Sequence, residues 1–411
     1  MADQQAHSSI KPLVFAFLDD LMKYYWGPLH DYVSSNPELV KTVPGFLLGH
    51  EEVVVYVGRT HIAIEYIGSE VCEGLVENGV MKVTYHDFST KDCNLFEKIV
   101  GFEYDSNTSV KLPFPLPPFS EDLIFPTNRG LDKLSELGWN FAAQNSIMGF
   151  NVPSPAPMNG VFTRVINGMF FDADESGLKS RRIKCLDFFP IIFDGSDDEV
   201  DRVGFSLEHM RGRVEADAHY SYPMPDDYKY RQLPKINRFI EKWGSVDSSE
   251  PEITAFLAQQ ENKFILTMKF GAVDVFSELT CDWQSDEKKS IRPDFFVVQP
   301  NGYADIVEFK LPHIDKAFVV GSDNRESFSA WLHSYVAQTR VYSSYFDDPN
   351  NRRWFEEKYG FKVHRPRRWL VIGRRTNFDS GVWREIMSDY RDLEILTFDD
   401  LIDGVTVQFY K

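Results

Sequence analysis

Two apolar runs joined by a tight turn constrain the fold of this chain more than any other feature. Residues 294–299 and 303–310 are rich in β-branched and aromatic side chains, and Pro300-Asn301-Gly302 lies between them. Proline suits the first central position of a type I turn, and glycine suits the left-handed position that follows and forms a bulge. We therefore predict a β-hairpin with a three-residue loop.

This loop length sets which residues of the two strands face each other. It places Asp294 opposite Glu308 with both side chains on one face of the sheet, and Lys310 shares that face. A two-residue Asn-Gly turn would instead pair Asp294 with Phe309 and separate the carboxylates. Asp305 has the opposite parity, so we expect it on the other face or at a rim.

Two carboxylates and an ammonium at one strand end have a chemical use. Carboxylate oxygens bind Mg²⁺, or Mn²⁺ in its place, and such a metal polarises a phosphate and acidifies water. Lys310 can stabilise developing charge, or orient or deprotonate the attacking water if its neighbours lower its pKa. Charged residues at strand ends are ordinarily just solvated. Because the hairpin and a preceding Glu-bearing helix accompany them here, we favour metal-dependent phosphodiester hydrolysis.

The elements around the hairpin predict a mixed sheet flanked by helices. A helix from about 250, the hairpin, a helix at 325–346, a buried strand at 369–373, a helix at 383–390 and a strand at 394–397 give the order α-β-β-α-β-α-β. We assign residues 246–411 to this C-terminal domain. A chain of 411 residues has room for more than one domain of roughly 150 residues.

The region 1–245 is predicted to be a β-rich mixed domain, which makes the whole chain α/β (α+β). Strands are expected at 52–57 and 61–66, and an amphipathic helix is expected to end at Gly244. Proline stretches at 113–118 and 153–157 predict loops, and two subdomains could divide near 112–126. Acidic residues between 194 and 201 lack the spacing of an EF-hand and predict a solvated loop.

The sequence has few features that indicate where the protein is located in the cell or what its cysteines do. No basic and apolar leader begins the chain and no stretch approaches 18 apolar residues, so we expect a cytoplasmic protein without a membrane segment. The four cysteines form no Cys-x-x-Cys pair, which argues against structural zinc and favours free thiols.

Charge is distributed unevenly along the chain. The formal net charge of −18 disfavours binding to a polyanion, yet residues 352–375, here called the basic segment, carry nine Lys or Arg against two Glu, a local charge of +7. An exposed helix and loop with solvated charges would look similar. We predict DNA contacts from the arginines of this segment, which are Arg352, Arg353, Arg365, Arg367, Arg368, Arg374 and Arg375.

Pro293-Asp294 and Glu308-x-Lys310 resemble the PD-(D/E)xK nuclease superfamily. A closer resemblance, over about residues 249–405, is to the nuclease domain of the Shedu antiphage defence family. It is carried by Glu252-Ile-Thr-Ala-Phe-Leu257, Arg292-Pro-Asp-Phe295, Val307-Glu-Phe-Lys-Leu-Pro312, Gln338, Leu370-Val-Ile-Gly-Arg374 and Leu396-Thr-Phe-Asp-Asp-Leu401. The resemblance implies a metal-dependent DNA endonuclease of bacterial immunity, with a divergent N-terminal domain and an oligomeric state, a homotetramer being favoured.

The resemblance also implies roles for individual residues. Asp294 and Glu308 would ligate the metal, Lys310 would act on the water or the transition state, and Glu252 would supply a further catalytic carboxylate and metal ligand. Residues Ser249-Glu-Pro-Glu252 also fit a helix capping box, which leaves a structural role open for Glu252. Gln338, on an otherwise aromatic helix face, matches a position at the active-site edge, although a backbone partner would also satisfy it.

We therefore expect an endonuclease that nicks or breaks double-stranded DNA of phage or other invading origin, with the N-terminal region sensing DNA or restraining cleavage. The same chemistry in restriction or repair is one alternative. A catalytically silent DNA-binding scaffold is another, and the intact Asp294, Glu308 and Lys310 count against it.

Overall fold

The computed structural model describes residues 2–69, 72, 81–104, 112–143, 149, 153–194, 202–205, 207–220, 228–285, 288–323, 325–377 and 379–410. The chain divides into two compact units. Unit 1 comprises Met1–Asp132, Gln144–Ala173 and Lys179–Pro225, and unit 2 comprises Lys133–Ala143, Asp174–Leu178 and Asp226–Lys411. Both units combine helices with mixed sheets, which confirms the predicted α/β class. Along the described ranges, no helix has both the length and the apolar character needed to span a bilayer.

Unit 1 contains the early helices and the larger sheet. Its helices are α1 (Ala2–Leu21), a π-helix (Met22–Trp26), α2 (Gly27–Ser35), a 3₁₀-helix (Pro37–Lys41), α3 (Gly45–Leu48), α4 (Leu95–Val100), α5 (Asn128–Glu136, which continues into unit 2) and α6 (Glu208–Ala218). Its strands are β1 (Glu52–Val57), β2 (His61–Ile67), β3 (Lys82–Asp87), β4 (Phe114–Leu116), β5 (Phe119–Glu121), β6 (Ile124–Pro126), β7 (Pro155–Pro157), β8 (Thr163–Asp174), β9 (Gly177–Asp194) and β10 (Arg202–Phe205).

Eight of these described strands form one sheet in the order β3-β1-β2-β9-β8-β5, with β10 beside β9 and β6 beside β8. Along β1, Val53 and Val55 pack in one apolar cluster with Tyr25, whereas Val54 packs in another with Phe96. Because both faces of the sheet are covered, its strands are nearly continuously apolar. The strands predicted at 52–57 and 61–66 are confirmed.

The two proline stretches behave differently from the prediction. They were expected to be loops, but β4 and β7 pair as a short parallel ladder in which Phe114 N donates to Ser154 O at 2.9 Å. Proline lacks an N–H and so removes one ladder bond, but within β4 and β7 the prolines alternate with residues that keep theirs. The alternation leaves enough donors for a short pairing. Asp197, Asp198, Glu199 and Asp201, predicted to lie in a solvated loop, fall outside the described residues.

Unit 2 contains the remaining elements. Its helices are a 3₁₀-helix (Phe141–Ala143), α7 (Tyr228–Gly244), α8 (Glu250–Ala258), α9 (Phe264–Phe270), α10 (Ala330–Tyr345), α11 (Pro349–Tyr359), a 3₁₀-helix (Arg375–Asn377), α12 (Ser380–Met387) and α13 (Phe398–Tyr410). Its strands are β11 (Asp274–Ser277), β12 (Phe295–Val298), β13 (Ala304–Phe309), β14 (Val319–Val320), β15 (Ser327–Phe328), β16 (Arg368–Val371) and β17 (Leu393–Leu396). The predicted helix end at Gly244 is confirmed.

The predicted hairpin is found as β12 and β13. Phe295 pairs with Val307 and Val298 with Ala304, the register that a three-residue loop requires. Gly302 N donates to Gln299 O at 2.9 Å, and Gly302 has a left-handed φ of 82°. The turn chemistry therefore predicted the register of this hairpin correctly.

The sheet of unit 2 runs β11-β12-β13-β16-β17. Strand β12 is antiparallel to β11 and β13, whereas β13, β16 and β17 are parallel, so the sheet is mixed as predicted. Strand β11 and helices α9, α11 and α13 were not predicted. Helix α10 begins later than expected because Ser329 caps it by accepting a hydrogen bond from Leu332 N, while the preceding Ser327–Phe328 pairs with β14.

Candidate active site

The hairpin register brings three predicted site residues together at the end of the sheet. Asp294 directly precedes β12, and its backbone amide donates to Glu308 Oε2 at 3.4 Å. Asp294 Oδ2 accepts a hydrogen bond from Phe309 N at 2.7 Å. Lys310 Nζ lies 3.0 Å from Glu308 Oε1. The three groups form a cluster, here called the acid–lysine cluster, on one face of the hairpin.

Helix α10 covers this cluster with three side chains from one helical face. Gln338 Nε2 donates to Glu308 Oε1 at 2.7 Å and lies 2.7 Å from the hydroxyl of Tyr342, which itself lies 3.3 Å from Glu308 Oε1. The ring centroid of Tyr335 is 5.5 Å from Lys310 Nζ. Gln338 is thus placed beside a candidate metal ligand. Tyr342 was not predicted, although its position four residues after Gln338 on the same helix stripe is a usable signal.

Helix α8 contributes Glu250 rather than Glu252. Glu250 Oε1 lies 2.9 Å from Lys310 Nζ. The exposed Glu252 instead accepts from Ser249 N and Ser249 Oγ, both at 2.9 Å, and its own amide donates to Ser249 Oγ, which completes the capping box. Because the box occupies the Glu252 carboxylate at the helix start, the other acidic residue of Ser-Glu-Pro-Glu is the one that reaches the cluster.

Burial makes the cluster electrostatically costly. Glu308 is 2% exposed and Lys310 is 7% exposed. Burial, with the charge of Glu308 added, raises the pKa of Asp294 to about 7. Burial also raises the pKa of Glu308, against the lowering effect of Lys310. Burial lowers the pKa of Lys310, but Glu308 and Glu250 raise it by more, so the ammonium is held charged.

The donor chemistry of Asp294 and Glu308 fits a hard divalent cation. Mg²⁺ commonly keeps several waters and binds proteins through only one or two carboxylates. Within the ranges that the structure covers, no group of three or more His, Cys, Asp or Glu side chains is arranged to hold a metal. Burial raises the pKa values of both acids and so disfavours their charged forms, and a cation at these oxygens would favour the charged forms.

The arginines of the basic segment fall into two groups according to their contacts. Arg368 pairs with Asp392 at 3.0 Å, Arg374 pairs with Asp399 at 2.9 Å and contacts Glu136, and Arg375 pairs with Asp400 and Asp403. Arg352 Nη1 donates to the carbonyls of Phe346 and Asp347. These four predicted DNA contacts are therefore engaged within unit 2. Arg375 is exposed as well as paired, and the other exposed arginines of the segment are Arg353, Arg365 and Arg367.

His313 and the four cysteines are two further groups of chemically reactive side chains. His313 Nε2 lies 2.9 Å from the backbone carbonyl oxygen of Trp243, which gives that histidine a structural contact. The four cysteines are not disulfide-bonded, and Cys185 and Cys281 are buried, whereas Cys72 and Cys93 are partly exposed.

Unit 2 contains a domain of the α/β class with a mixed sheet and the capped helix α8. The acid–lysine cluster is a candidate acid–base site at the ends of its strands. Residues 247–402 match the family model described as Shedu protein SduA, C-terminal. The resemblance stated from the sequence is confirmed over that segment, and it supports a role in antiphage defence. No curated protein matches the chain.

Proposed function

We propose that the Shedu domain is a metal-dependent endonuclease that hydrolyses phosphodiester bonds of double-stranded DNA in antiphage defence. The observation that carries the proposal is the acid–lysine cluster: the half-buried carboxylate of Asp294, the buried carboxylate of Glu308 and the ammonium of Lys310 at the strand ends of a mixed sheet. Such an arrangement is costly for folding and is therefore a candidate functional site.

Asp294 and Glu308 would hold Mg²⁺, or Mn²⁺ in its place. When bound, the metal supplies polarisation of the phosphate and acidification of a water molecule. The chain itself orients the ligands: the amide of Gln338 holds Glu308 Oε1, and the amide of Phe309 holds Asp294 Oδ2. Carboxylate oxygens that already accept hydrogen bonds lose less orientational freedom when a cation binds to them.

Lys310 acts in this proposal as a fixed positive charge. Its ammonium is held between Glu250 and Glu308 at 2.9 and 3.0 Å, and both carboxylates favour the protonated form. The condition for a lysine base, a pKa lowered by its neighbours, is not met in this arrangement. We therefore assign Lys310 to stabilisation of the charge that develops on the phosphate oxygens.

The remaining parts of the proposal rest on the family match. We propose that residues 1–245 sense a DNA feature or restrain cleavage, that residues 246–411 are the nuclease domain, and that the protein acts in the cytoplasm as a homo-oligomer, with a tetramer favoured. Arg353 is an exposed arginine of the basic segment and stays a candidate DNA contact. Arg292, whose side chain is 59% exposed two residues before Asp294, is a further one.

The test is DNA cleavage by the purified full chain. Supercoiled and linear DNA would be incubated with MgCl₂ or EDTA, using the wild type, Glu308→Gln and the control Glu394→Gln, which changes an exposed carboxylate on β17 of the same sheet. We expect metal-dependent cleavage by the wild type and the control, and none by Glu308→Gln. Cleavage that survives EDTA or Glu308→Gln would overturn the mechanism. Phage plating with the same variants tests the defence role.

A further inference from the structure

A cavity of about 600 Å³ lies at the other end of the β12–β13 hairpin, beside its turn. Its lining includes Tyr303, Asp305, His364, Arg365 and Arg367. Sites for small molecules in proteins commonly enclose about 300 to 1,000 Å³. The cavity is therefore large enough for a ligand the size of a nucleotide.

This cavity is separate from the acid–lysine cluster. Asp305 lies three residues before Glu308 on β13, about 10 Å away at the usual rise of a strand, and its side chain has the opposite parity. Arg365 and Arg367 precede β16, whose Arg368 pairs with Ile306, so they lie at the start of the parallel strands. The carboxylates lie where these strands end.

The charge of the cavity favours an anion. Arg365 and Arg367 are exposed, and neither forms an ion pair with a carboxylate among the residues that the structure describes. Asp305 is the acidic group of the lining. Its Oδ1 accepts a hydrogen bond from Arg367 N at 2.8 Å, and burial raises its pKa. The lining therefore carries two guanidinium groups and one carboxyl group, and that carboxyl group has a backbone partner and an electrostatic attraction to Arg367. Guanidinium groups match the geometry of phosphate oxygens.

The backbone around the cavity is held in place before any ligand binds. Tyr303 N donates to Asn301 Oδ1 at 3.0 Å, and Ala304 N donates to Lys362 O at 2.8 Å. Arg365 has a φ of 49°, a left-handed conformation that is unfavourable for a residue with a Cβ atom. Residues held in such conformations cluster at ligand sites. Here the conformation belongs to one of the two cavity arginines.

The cavity also has an aromatic side chain among the residues that line it. Tyr303 is 42% exposed and lines the same cavity as the arginines. An exposed aromatic ring beside cationic groups suits a nucleobase joined to a phosphate, because every base has a face that can stack. We propose that this cavity is a second site, distinct from the nuclease centre, that binds a nucleotide through its phosphate on Arg365 and Arg367 and its base on Tyr303.

A free mononucleotide and a nucleotide of a DNA strand share this chemistry, so the test uses both. The full chain in EDTA would be titrated calorimetrically with dAMP, with deoxyadenosine, and with a short single-stranded deoxyadenylate oligonucleotide. We expect dAMP to bind and deoxyadenosine to bind at least tenfold more weakly. If the oligonucleotide binds more tightly than dAMP, the ligand of the cavity is a DNA strand. If dAMP binds more tightly, the ligand is the free nucleotide.

The variants are Arg365→Gly, Arg367→Ala and the matched control Arg384→Ala, an exposed arginine on α12 that does not line the cavity. Glycine accepts the left-handed backbone, so Arg365→Gly removes the guanidinium without adding strain. We expect both cavity variants to weaken binding tenfold or more, and the control to bind like the wild type. Equal binding by all four proteins, or no binding by the wild type, would overturn the proposal.

Glu308→Gln separates this inference from the proposed nuclease. It should abolish cleavage yet bind dAMP like the wild type, because Glu308 does not line the cavity. If dAMP binding is lost in Glu308→Gln but kept in Arg365→Gly, the ligand occupies the nuclease centre and the second site is overturned.

Discussion

Each unit of this protein contains a buried ionic cluster, and the two differ in how their charges are compensated. In unit 1, Arg164 is fully buried and pairs with Asp187 and Asp217, both at 2.6 Å. Arg213 adds a second cation at 3.1 Å from Asp217, and Tyr25 donates its hydroxyl to the same carboxylate. Two arginines thus match two aspartates.

The acid–lysine cluster of unit 2 lacks this balance. Lys310 is the cation for Glu308 and Glu250, and Asp294 adds a third carboxylate. The pKa values reflect the difference. Burial alone would raise the pKa of Asp217, but Arg164 and Arg213 outweigh it and lower that pKa, whereas the pKa values of Asp294 and Glu308 are raised. A folded protein tolerates buried carboxylates where nearby cations neutralise them. Buried carboxylates without enough nearby cations point to a functional site.

Replacing Lys310 by alanine should greatly reduce activity. The variant loses the one ammonium of the acid–lysine cluster, and we expect DNA cleavage to fall on the order of 10² to 10⁴-fold, the usual range for a charge-stabilising group. Initial cleavage rates in MgCl₂ would be compared with those of Lys358→Ala, an exposed lysine of α11. Cleavage within threefold of the wild type would remove Lys310 from the mechanism.

Replacing Arg164 by methionine should produce the largest effect on stability. It leaves Asp187 and Asp217 buried with a cation missing, which typically costs about 3 to 5 kcal/mol. Urea unfolding followed by circular dichroism measures the loss. Arg213→Met should cost much less, because Arg213 is partly exposed and Arg164 still pairs with Asp217. If both variants lose the same free energy of unfolding, Arg164 is not the main cation that neutralises the two aspartates.

The pair Glu250→Gln and Glu252→Gln tests which acidic residue of α8 serves the cluster. We expect cleavage to fall roughly tenfold in Glu250→Gln, because Lys310 loses a charged partner that holds it. Glu252→Gln should cleave normally, because glutamine also completes a capping box. A larger loss in Glu252→Gln, measured in the same assay, would restore the catalytic role that the family resemblance implies for that residue.

Asp294→Asn should stabilise the protein while abolishing cleavage. The substitution removes one negative charge beside Glu308, and the asparagine oxygen can still accept from Phe309 N. In EDTA we expect the free energy of unfolding to rise by about 1 kcal/mol. A destabilised variant would show that Asp294 is compensated in the folded protein, contrary to the comparison of the two clusters.

A last prediction concerns the pH dependence of stability and rests on His50 in unit 1. Its ring packs against Trp26 and Tyr66 at 4.9 and 5.6 Å, and burial lowers its pKa to about 4. An unfolded histidine has a pKa of about 6.5, so between these values the unfolded state binds more protons and stability falls as the pH falls. We expect the free energy of unfolding to fall by about 2 kcal/mol between pH 7 and pH 5, a dependence that His50→Phe removes. Identical pH profiles for both proteins would contradict this.

Local chemistry made the central part of the site predictable. The turn Pro300-Asn301-Gly302 determined that Asp294 lies opposite Glu308, because side chains alternate along strands and the loop length sets the register. Ser249 likewise predicted the start of α8 and the capping box. Hydrophobic patterns likewise predicted β16 and the helix α10, whereas the parallel pairing of β13 with β16 was predicted only as part of a mixed sheet.

The sequence by itself thus determined the hairpin, its register and the identity of Asp294, Glu308 and Lys310 as neighbours, since these depend on residues close together in the chain. Only the tertiary structure decided that Glu250 reaches Lys310 and that Gln338 holds Glu308. It also decided which arginines are engaged by carboxylates and which line a cavity at the opposite end of the sheet. Those contacts join residues tens of positions apart, and packing of the whole unit selects them.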